Sequence, residues 1–220
     1  MRRIHRAGAI AALTLSLVVG LASPALATPA SASNWHVDVY TSSGNTLSQA
    51  SAAKTADALA TFQFTTAANT ALLINTQGSQ KGSLLGDLAG KTVTATFTIN
   101  GSGDPFICYG GCGPSPASAR LFFETSSAGG FDATHYWWSN PGGTTELANG
   151  SFTLTAKVSP DQWSDEDGHE GSFSASARAG FAAAAANVTG IGLSFGGGGF
   201  FENGVGAPDS TLTLTSFTVS

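Results

Sequence analysis

Charged side chains are scarce in this sequence, and positive ones are the scarcest. Charged residues make up 10% of the 220 residues, with nine Lys and Arg against fourteen Asp and Glu. Nucleic acids and anionic membranes bind proteins through clustered positive charge. The composition therefore predicts no nucleic-acid partner and no membrane partner, and it is compatible with a neutral ligand, a cation, or solubility alone.

Long apolar runs are absent except near the N-terminus. There, Arg2, Arg3 and Arg6 precede an apolar stretch at 7–21, and an Ala-Leu-Ala peptidase site follows. This is the pattern of a secretory signal peptide, here 1–27, although a retained anchor helix is the alternative. We expect a secreted protein, and the remaining six basic and fourteen acidic residues give the mature chain a net charge of −8.

Cysteine is almost absent. Cys108 and Cys112, in a Cys-Tyr-Gly-Gly-Cys segment, are the only two. Cysteines of exported proteins usually pair in the oxidising compartment, so we expect a disulfide between them. The alternatives are metal binding and a redox thiol pair. Zinc needs four ligands, and no other Cys or His lies nearby; a redox pair would have Cys-x-x-Cys at a helix start.

The four-glycine run at 196–199 lacks the features of a phosphate-binding loop. No Lys-Ser/Thr follows it, and no helix is predicted to begin there. No histidine occupies a position typical of a catalytic triad either, and we expect no serine-nucleophile motif of the Gly-x-Ser-x-Gly kind. These absences favour a protein that is not an enzyme and has no cofactor.

Apolar and polar residues alternate with a period of two along much of the chain. In segment 92–99, Val93, Ala95, Phe97 and Ile99 fall on one face. This period indicates β-strands with one face toward a core and the other toward solvent. The same alternation occurs at 35–40, 62–64, 151–158, 188–195 and 211–219.

Helix signals are confined to two Ala-rich segments, 51–59 and 177–186. Many strands with little helix predict an all-β fold. The architecture that we expect is a two-sheet antiparallel β-sandwich, or jelly roll, with one or two short helices. No interdomain linker is visible, so we predict a flexible leader at 28–34 and a single domain at 35–220.

Three segments of the C-terminal half carry a resemblance to a known class of protein. They are Val-Ser-Pro-Asp-Gln-Trp-Ser at 158–164, the Ala-rich stretch and strand at 181–195, and the closing strand at 211–219. These segments resemble parts of the galactose-binding-like carbohydrate-binding modules, which are jelly rolls of secreted bacterial proteins. The resemblance implies the same fold and a saccharide ligand.

The aromatic cluster Tyr136-Trp137-Trp138 is the first candidate for ligand binding. In a strand, Trp137 points to one face, while Tyr136 and Trp138 point to the other. Exposed aromatic rings stack on the C–H faces of sugars, so we predict that Tyr136 and Trp138 contact a ligand. The alternative is that both faces are covered, because Trp is highly buried on average.

Charged residues near aromatic ones are the remaining candidates for ligand binding. Arg120, Phe122 and Glu124 share one face of a predicted strand, where Arg120 and Glu124 are placed to hydrogen-bond a polar ligand. A surface ion pair without function is the alternative. Glu202 follows the glycine run on a predicted loop, and loops commonly provide ligand contacts.

The acidic run 165–170 (DEDGHE) raises the question of a calcium site. Calcium needs clustered oxygen ligands, which a loop with Gly can supply. The calcium-loop motif also requires a Glu at a fixed distance, and the sequence has none there. We therefore expect a solvated acidic loop and no metal.

Three classes of function follow from these features. The leading hypothesis is a secreted non-catalytic binding protein for a carbohydrate. The second is a structural or surface protein without a small ligand, in which every Trp would be buried. The third, and lowest ranked, is a glycoside hydrolase with Glu124 and Glu202 as its two carboxylates.

Overall fold

The computed structural model describes residues 31–41, 44–64, 69–101, 106–108, 117–125, 132–140, 144–197, 204–207 and 209–220. The predicted signal peptide at 1–27 lies outside these ranges. The first strand begins at Ser31, within the segment 28–34 that is predicted to be a leader. No helix in the described ranges combines the length and apolarity that a membrane crossing requires.

The described ranges form fourteen strands, one 3-10 helix (Gly78–Gln80) and one α-helix, α1 (Ala175–Ala185). The strands are β1 (Ser31–Thr41), β2 (Gly44–Thr55), β3 (Ala58–Gln63), β4 (Asn69–Asn75), β5 (Thr92–Asn100), β6 (Ile107–Cys108), β7 (Ser118–Glu124), β8 (Tyr136–Ser139), β9 (Thr144–Glu146), β10 (Gly150–Lys157), β11 (Trp163–Ser164), β12 (Gly190–Gly196), β13 (Val205–Gly206) and β14 (Thr211–Val219).

Hydrogen bonds join these strands into one antiparallel sheet. Its order is β10-β5-β14-β3-β2-β1-β4-β12-β7-β8-β11, with β9 paired to β7 and β13 paired to β4 and β6. The mostly-β, antiparallel character predicted from the sequence is confirmed. The two-sheet sandwich predicted from the sequence is not seen in the described strands. Every neighbouring pair in this order is hydrogen-bonded, so no gap divides them into two sheets.

The sheet is strongly curled, so that its apolar face closes around the core. β5 and β7 are seven positions apart in the strand order, which would be about 33 Å in a flat sheet. Phe97 of β5 and Phe123 of β7 nevertheless belong to one continuous buried cluster. β10, at one end of the order, also contacts β7 near the other end.

The period-two pattern correctly predicts which side chains face this core. Val93, Ala95, Phe97 and Ile99 of β5 are all fully buried. Their Thr neighbours lie on the other face, where Thr94 and Thr96 share side-chain hydrogen bonds with Thr residues of β10. One face of the strand therefore packs, while the other is polar.

A β-bulge shifts the alternation of buried and exposed side chains in β14. Leu212 and Leu214 face the core, but strict alternation would then bury Ser216 and expose Phe217. The pairing with β5 shifts between Leu214 and Ser216, and this extra residue turns Phe217 inward, where it is 5% exposed. A bulge adds one residue on one strand and re-aims the side chains that follow.

The α-helix confirms the predicted segment 177–186, with a start two residues earlier. Ser174 is the N-cap, and its side-chain oxygen accepts a hydrogen bond from the backbone N–H of Ala177. Phe181 packs edge-on against Trp137, with ring centroids 5.0 Å apart. The helix therefore covers the core near β7 and β8.

The predicted helix at 51–59 is wrong. These residues form the end of β2, a turn, and the start of β3. Ala52 and Ala58 are buried, and β2 pairs with β1 along most of its length. The helix propensity of alanine is a weak preference, and tertiary strand pairing overrides it here.

β12 is buried along all seven of its residues. Ile191, Leu193 and Phe195 point into the main core. The opposite face carries only small residues, and a Cβ added at Gly192 would overlap the backbone carbonyl oxygen of Leu73 on β4. Glycine is therefore required at this position by the close approach of two strands.

We expect Gly192→Ala to lower the free energy of unfolding by about 1–3 kcal/mol, the usual cost of overpacking. Urea unfolding of the purified protein measures this effect. Gly78→Ala is the matched control, because a Cβ at Gly78 meets no atom within 4 Å. Equal unfolding midpoints for the two variants would contradict the close packing of β12 against β4.

Candidate functional site

The structure brings four of the predicted site residues together on the sheet face opposite the main core. Phe122 of β7 pairs with Trp138 of β8, and Glu124 pairs with Tyr136. Directly paired residues of antiparallel strands share a face. The Trp138 ring lies 5.2 Å from that of Phe122 and 6.4 Å from that of Tyr136, measured between centroids.

The centre of this aromatic face is buried, and Tyr136 beside it is half-buried. Phe122 and Trp138 are both 0% exposed and form a second apolar cluster with Leu72 and Ile74. The indole Nε1 of Trp138 donates a hydrogen bond to Ser194 Oγ at 3.0 Å. The ring of Trp138 consequently offers no open face on which a sugar could stack, and its role in ligand binding remains a prediction from the sequence.

All four tryptophans are in fact buried. Trp35 is 3% exposed, and Trp137, Trp138 and Trp163 are each 0% exposed. We expect acrylamide to quench the tryptophan fluorescence of the native protein weakly and that of the guanidinium-unfolded protein strongly. Similar quenching constants before and after unfolding would show that at least one indole is open to solvent.

Arg120 lies on the same face of β7, where it is half-buried. Its Nη1 donates to the backbone carbonyl oxygen of Ser139 at 3.4 Å. Burial lowers the pKa of the guanidinium to about 10, so Arg120 keeps its positive charge at neutral pH. The fold thus holds a cation beside the aromatic cluster.

Glu124 is the carboxyl group whose ionisation the fold changes most clearly. Burial, and secondarily the negative charge of Asp38, raise the pKa of Glu124 to about 7 from its ordinary value of 4.5. Burial also raises the pKa of Asp38, which accepts a hydrogen bond from Gln49 Nε2 at 3.0 Å. Glu124 therefore holds its proton up to near-neutral pH.

The raised pKa of Glu124 makes stability depend on pH. The folded protein binds the Glu124 proton more tightly than the unfolded chain, so the stabilisation is complete below about pH 4.5 and lost as pH rises through 7. Between pH 5 and 8, we expect the stability of Glu124→Gln relative to the parent to rise by about 2–3 kcal/mol. Urea unfolding at both pH values measures this difference.

Glu146→Gln is the control for this experiment, because Glu146 is an exposed glutamate of the same sheet. Its pH dependence should follow that of the parent protein. A Glu124→Gln variant with the same pH dependence as the parent would mean that Glu124 ionises normally.

Two predicted residues lie outside the described ranges. Glu202 is one of them, so the separation between the carboxylates of Glu124 and Glu202 stays open, and the glycoside hydrolase remains a prediction. Cys112 is the other, and the disulfide between Cys108 and Cys112 likewise stays a prediction.

The acidic run contains one buried residue that organises the loop. Asp165 is 4% exposed, and its Oδ1 accepts hydrogen bonds from the backbone N–H groups of Asp167 and His169 at 3.0 and 2.9 Å. The prediction of a solvated loop therefore fails at Asp165. Oxygen and nitrogen atoms of Asp165, Asp167 and His169 lie close enough together to approach one metal ion, while both backbone hydrogen bonds of the loop end on Asp165 Oδ1.

The expectation that the sequence has no Gly-x-Ser-x-Gly motif is wrong, because Gly192-Leu193-Ser194-Phe195-Gly196 has this spacing. That motif requires a sharp strand-to-helix turn that exposes the serine. Here, Ser194 lies within β12, is 0% exposed, and accepts the hydrogen bond of Trp138. The geometry therefore makes Ser194 a structural hydrogen-bond partner.

A cleft of about 260 Å³ lies at one end of the curled sheet. Antiparallel pairing places the start of one strand beside the end of the next, so the starts of β1 and β3 meet the ends of β2, β4 and β14 there. The lining residues come from these strand ends and from the loop of the 3-10 helix: Ser33, Asn34, Trp35, Lys54, Leu59, Asn75, Gln80, Ser83, Leu84 and Phe217.

Asn75 is the most informative residue of this cleft. It is the last residue of β4 and is 1% exposed. Its Oδ1 accepts a hydrogen bond from the backbone N–H of Gln77 at 3.0 Å, which fixes the orientation of the carboxamide. Its Nδ2 has no hydrogen-bond partner among the described residues. A hydrogen bond from this donor to a ligand oxygen in the cleft would contribute about 0.5–1.5 kcal/mol.

Apolar and polar groups share the walls of the cleft. Trp35 and Phe217 form the apolar part, with ring centroids 5.0 Å apart and planes tilted by 55°. Asn34 and Ser83 are exposed at its rim. Ligand sites typically combine apolar surface with a few placed hydrogen-bonding groups, and this cleft has both.

No motif in the sequence predicts this cleft, although the alternation at 35–40 is consistent with the burial of Trp35. Lys54, Asn75 and Phe217 lie far apart in the chain and belong to no motif. Only the strand order brings them together, and a single sequence carries no direct signal for that order. The local signal in the sequence is Asn75 itself, a polar residue directly after the apolar run 71–74.

Comparison with known proteins gives no relative: no protein-family model, curated protein or solved structure matches this chain. The resemblance to galactose-binding-like modules therefore depends on the three sequence segments alone.

Proposed function

We propose that this protein is a secreted, non-catalytic saccharide-binding protein and that the cleft beside Asn75 is its binding site. The observation that carries the proposal is the buried Asn75 carboxamide, whose Nδ2 lacks a partner beside the Trp35 and Phe217 rings. Saccharides offer hydroxyl oxygens as acceptors and C–H groups as apolar surface, which are the two kinds of contact available here.

The size of the cleft favours one sugar unit of a longer chain. Its volume of about 260 Å³ lies just below the range of about 300–1,000 Å³ typical of sites for drug-sized molecules. Asn34 and Ser83 at the rim are available for the neighbouring units. The secreted location follows from the predicted signal peptide, and the jelly-roll arrangement of the strands is part of the same proposal.

A structural or surface protein without a small ligand is the second candidate. The burial of all four tryptophans favours it, because saccharide sites commonly expose an aromatic ring. The two candidates differ in one respect that can be measured, since only the first requires affinity for a glycan.

A glycan array and polysaccharide pull-down test the proposal. We expect retention of the parent protein and a loss of about five- to thirty-fold in affinity for Asn75→Asp, since the removed donor is worth about 1–2 kcal/mol. This variant keeps an oxygen to accept the Gln77 N–H, which preserves the loop. Asn149→Asp is the matched control, because Asn149 is exposed and does not line the cleft.

Asn34→Ala provides a second variant in case Asn75→Asp lowers the stability of the fold. Asn34 is exposed at the rim, so its truncation should weaken glycan binding without affecting the melting temperature. The proposal fails if the parent is retained on no glycan, or if both cleft variants bind as the parent does.

A further inference from the structure

The charge of the cleft differs in sign from that of the whole protein. Fourteen acidic residues outnumber nine basic ones, and the formal net charge is −5. Yet Lys54 is the only charged residue among those that line the cleft, and no Asp or Glu is among them. The cleft is thus a locally positive site on an acidic molecule.

Lys54 has no carboxylate to pair with in the described structure. The salt bridges there are the His135–Asp132 and His169–Asp165 pairs, and neither includes Lys54. Lys54 lies at the end of β2 and is exposed. Its ammonium group is therefore available to a ligand that enters the cleft.

The cleft also offers hydrogen-bond donors next to this charge. The Lys54 ammonium has three donors and no acceptor, and Asn75 contributes an unpaired Nδ2 donor. The complementary ligand group is rich in acceptors and negatively charged. A carboxylate is such a group, and hydrogen bonds to an ionised acceptor are stronger than neutral ones.

We propose, on the basis of the proposed function, that the cleft selects an acidic saccharide, with the carboxylate of a uronic acid unit paired to Lys54. The sugar ring lies against the apolar wall of Trp35 and Phe217, and Asn75 Nδ2 donates to a ring substituent. Lys54 is then the residue that determines the preference for acidic over neutral sugars.

The test compares polygalacturonate with its fully methyl-esterified form, which has the same backbone but no carboxylate charge. Affinity electrophoresis should show that the parent binds the acid form about two- to five-fold more tightly, the effect of one exposed ion pair. Lys54→Gln should reduce this ratio to about one. Lys157→Gln, which removes an exposed lysine outside the cleft, should leave the ratio unchanged.

The outcomes distinguish the preference for acidic sugars from saccharide binding itself. Equal binding of the two forms by the parent, or a ratio that Lys54→Gln leaves unchanged, overturns the acidic preference while saccharide binding stands. Retention on neutral glycans with no binding of polygalacturonate also overturns it. Failure to bind any glycan, including both polymers, overturns the proposed function together with this inference.

Discussion

Burial of β12 on both faces is the constraint on which the rest of the structure depends. Its large side chains, Ile191, Leu193 and Phe195, point into the main core, whereas its other face has only Gly and Ser. A Cβ at Gly190 would collide with atoms of both β4 and β7, whereas a Cβ at Gly192 would collide with atoms of β4. This face of β12 therefore admits no side chain at Gly190 or Gly192.

The same constraint explains the unusual ionisation on the second face. A Cβ at Gly190 would lie 2.7 Å from Glu124 Oε1, so the absent side chain provides the space that the carboxyl group occupies. Burial there raises the pKa of Glu124 to about 7. The aromatic cluster around Trp138 is thus a packed part of the fold with an unusual carboxyl at its edge.

The sequence predicts the strands better than their arrangement. Period-two alternation identifies the core side chains of β5 correctly, because burial of one face is a local property. The number of sheets and the position of the cleft depend on which distant strands pair. The segment 51–59 illustrates the limit: its alanines favour a helix locally, and pairing of β2 with β1 overrides that preference.

The candidate site was predictable only in part, for a similar reason. Alternation places Glu124 on one face of its strand, and Tyr136 with Trp138 on one face of theirs. It cannot indicate that the two strands are neighbours, that these faces coincide, or that the shared face is covered. The cleft at Asn75 needs the ends of five strands to meet, and no local pattern encodes that meeting. Only the folded chain brings the Asn75 donor and the Lys54 cation into one cleft.

The central claim is that this cleft binds an acidic saccharide, and NMR titration with trigalacturonic acid examines the cleft residues themselves. We expect chemical-shift changes concentrated at the Asn75 side-chain amide and the Trp35 indole, with the Trp138 indole unchanged. Changes centred on Trp138 and Ser194 with none at Asn75, or no change anywhere at millimolar sugar, would contradict it.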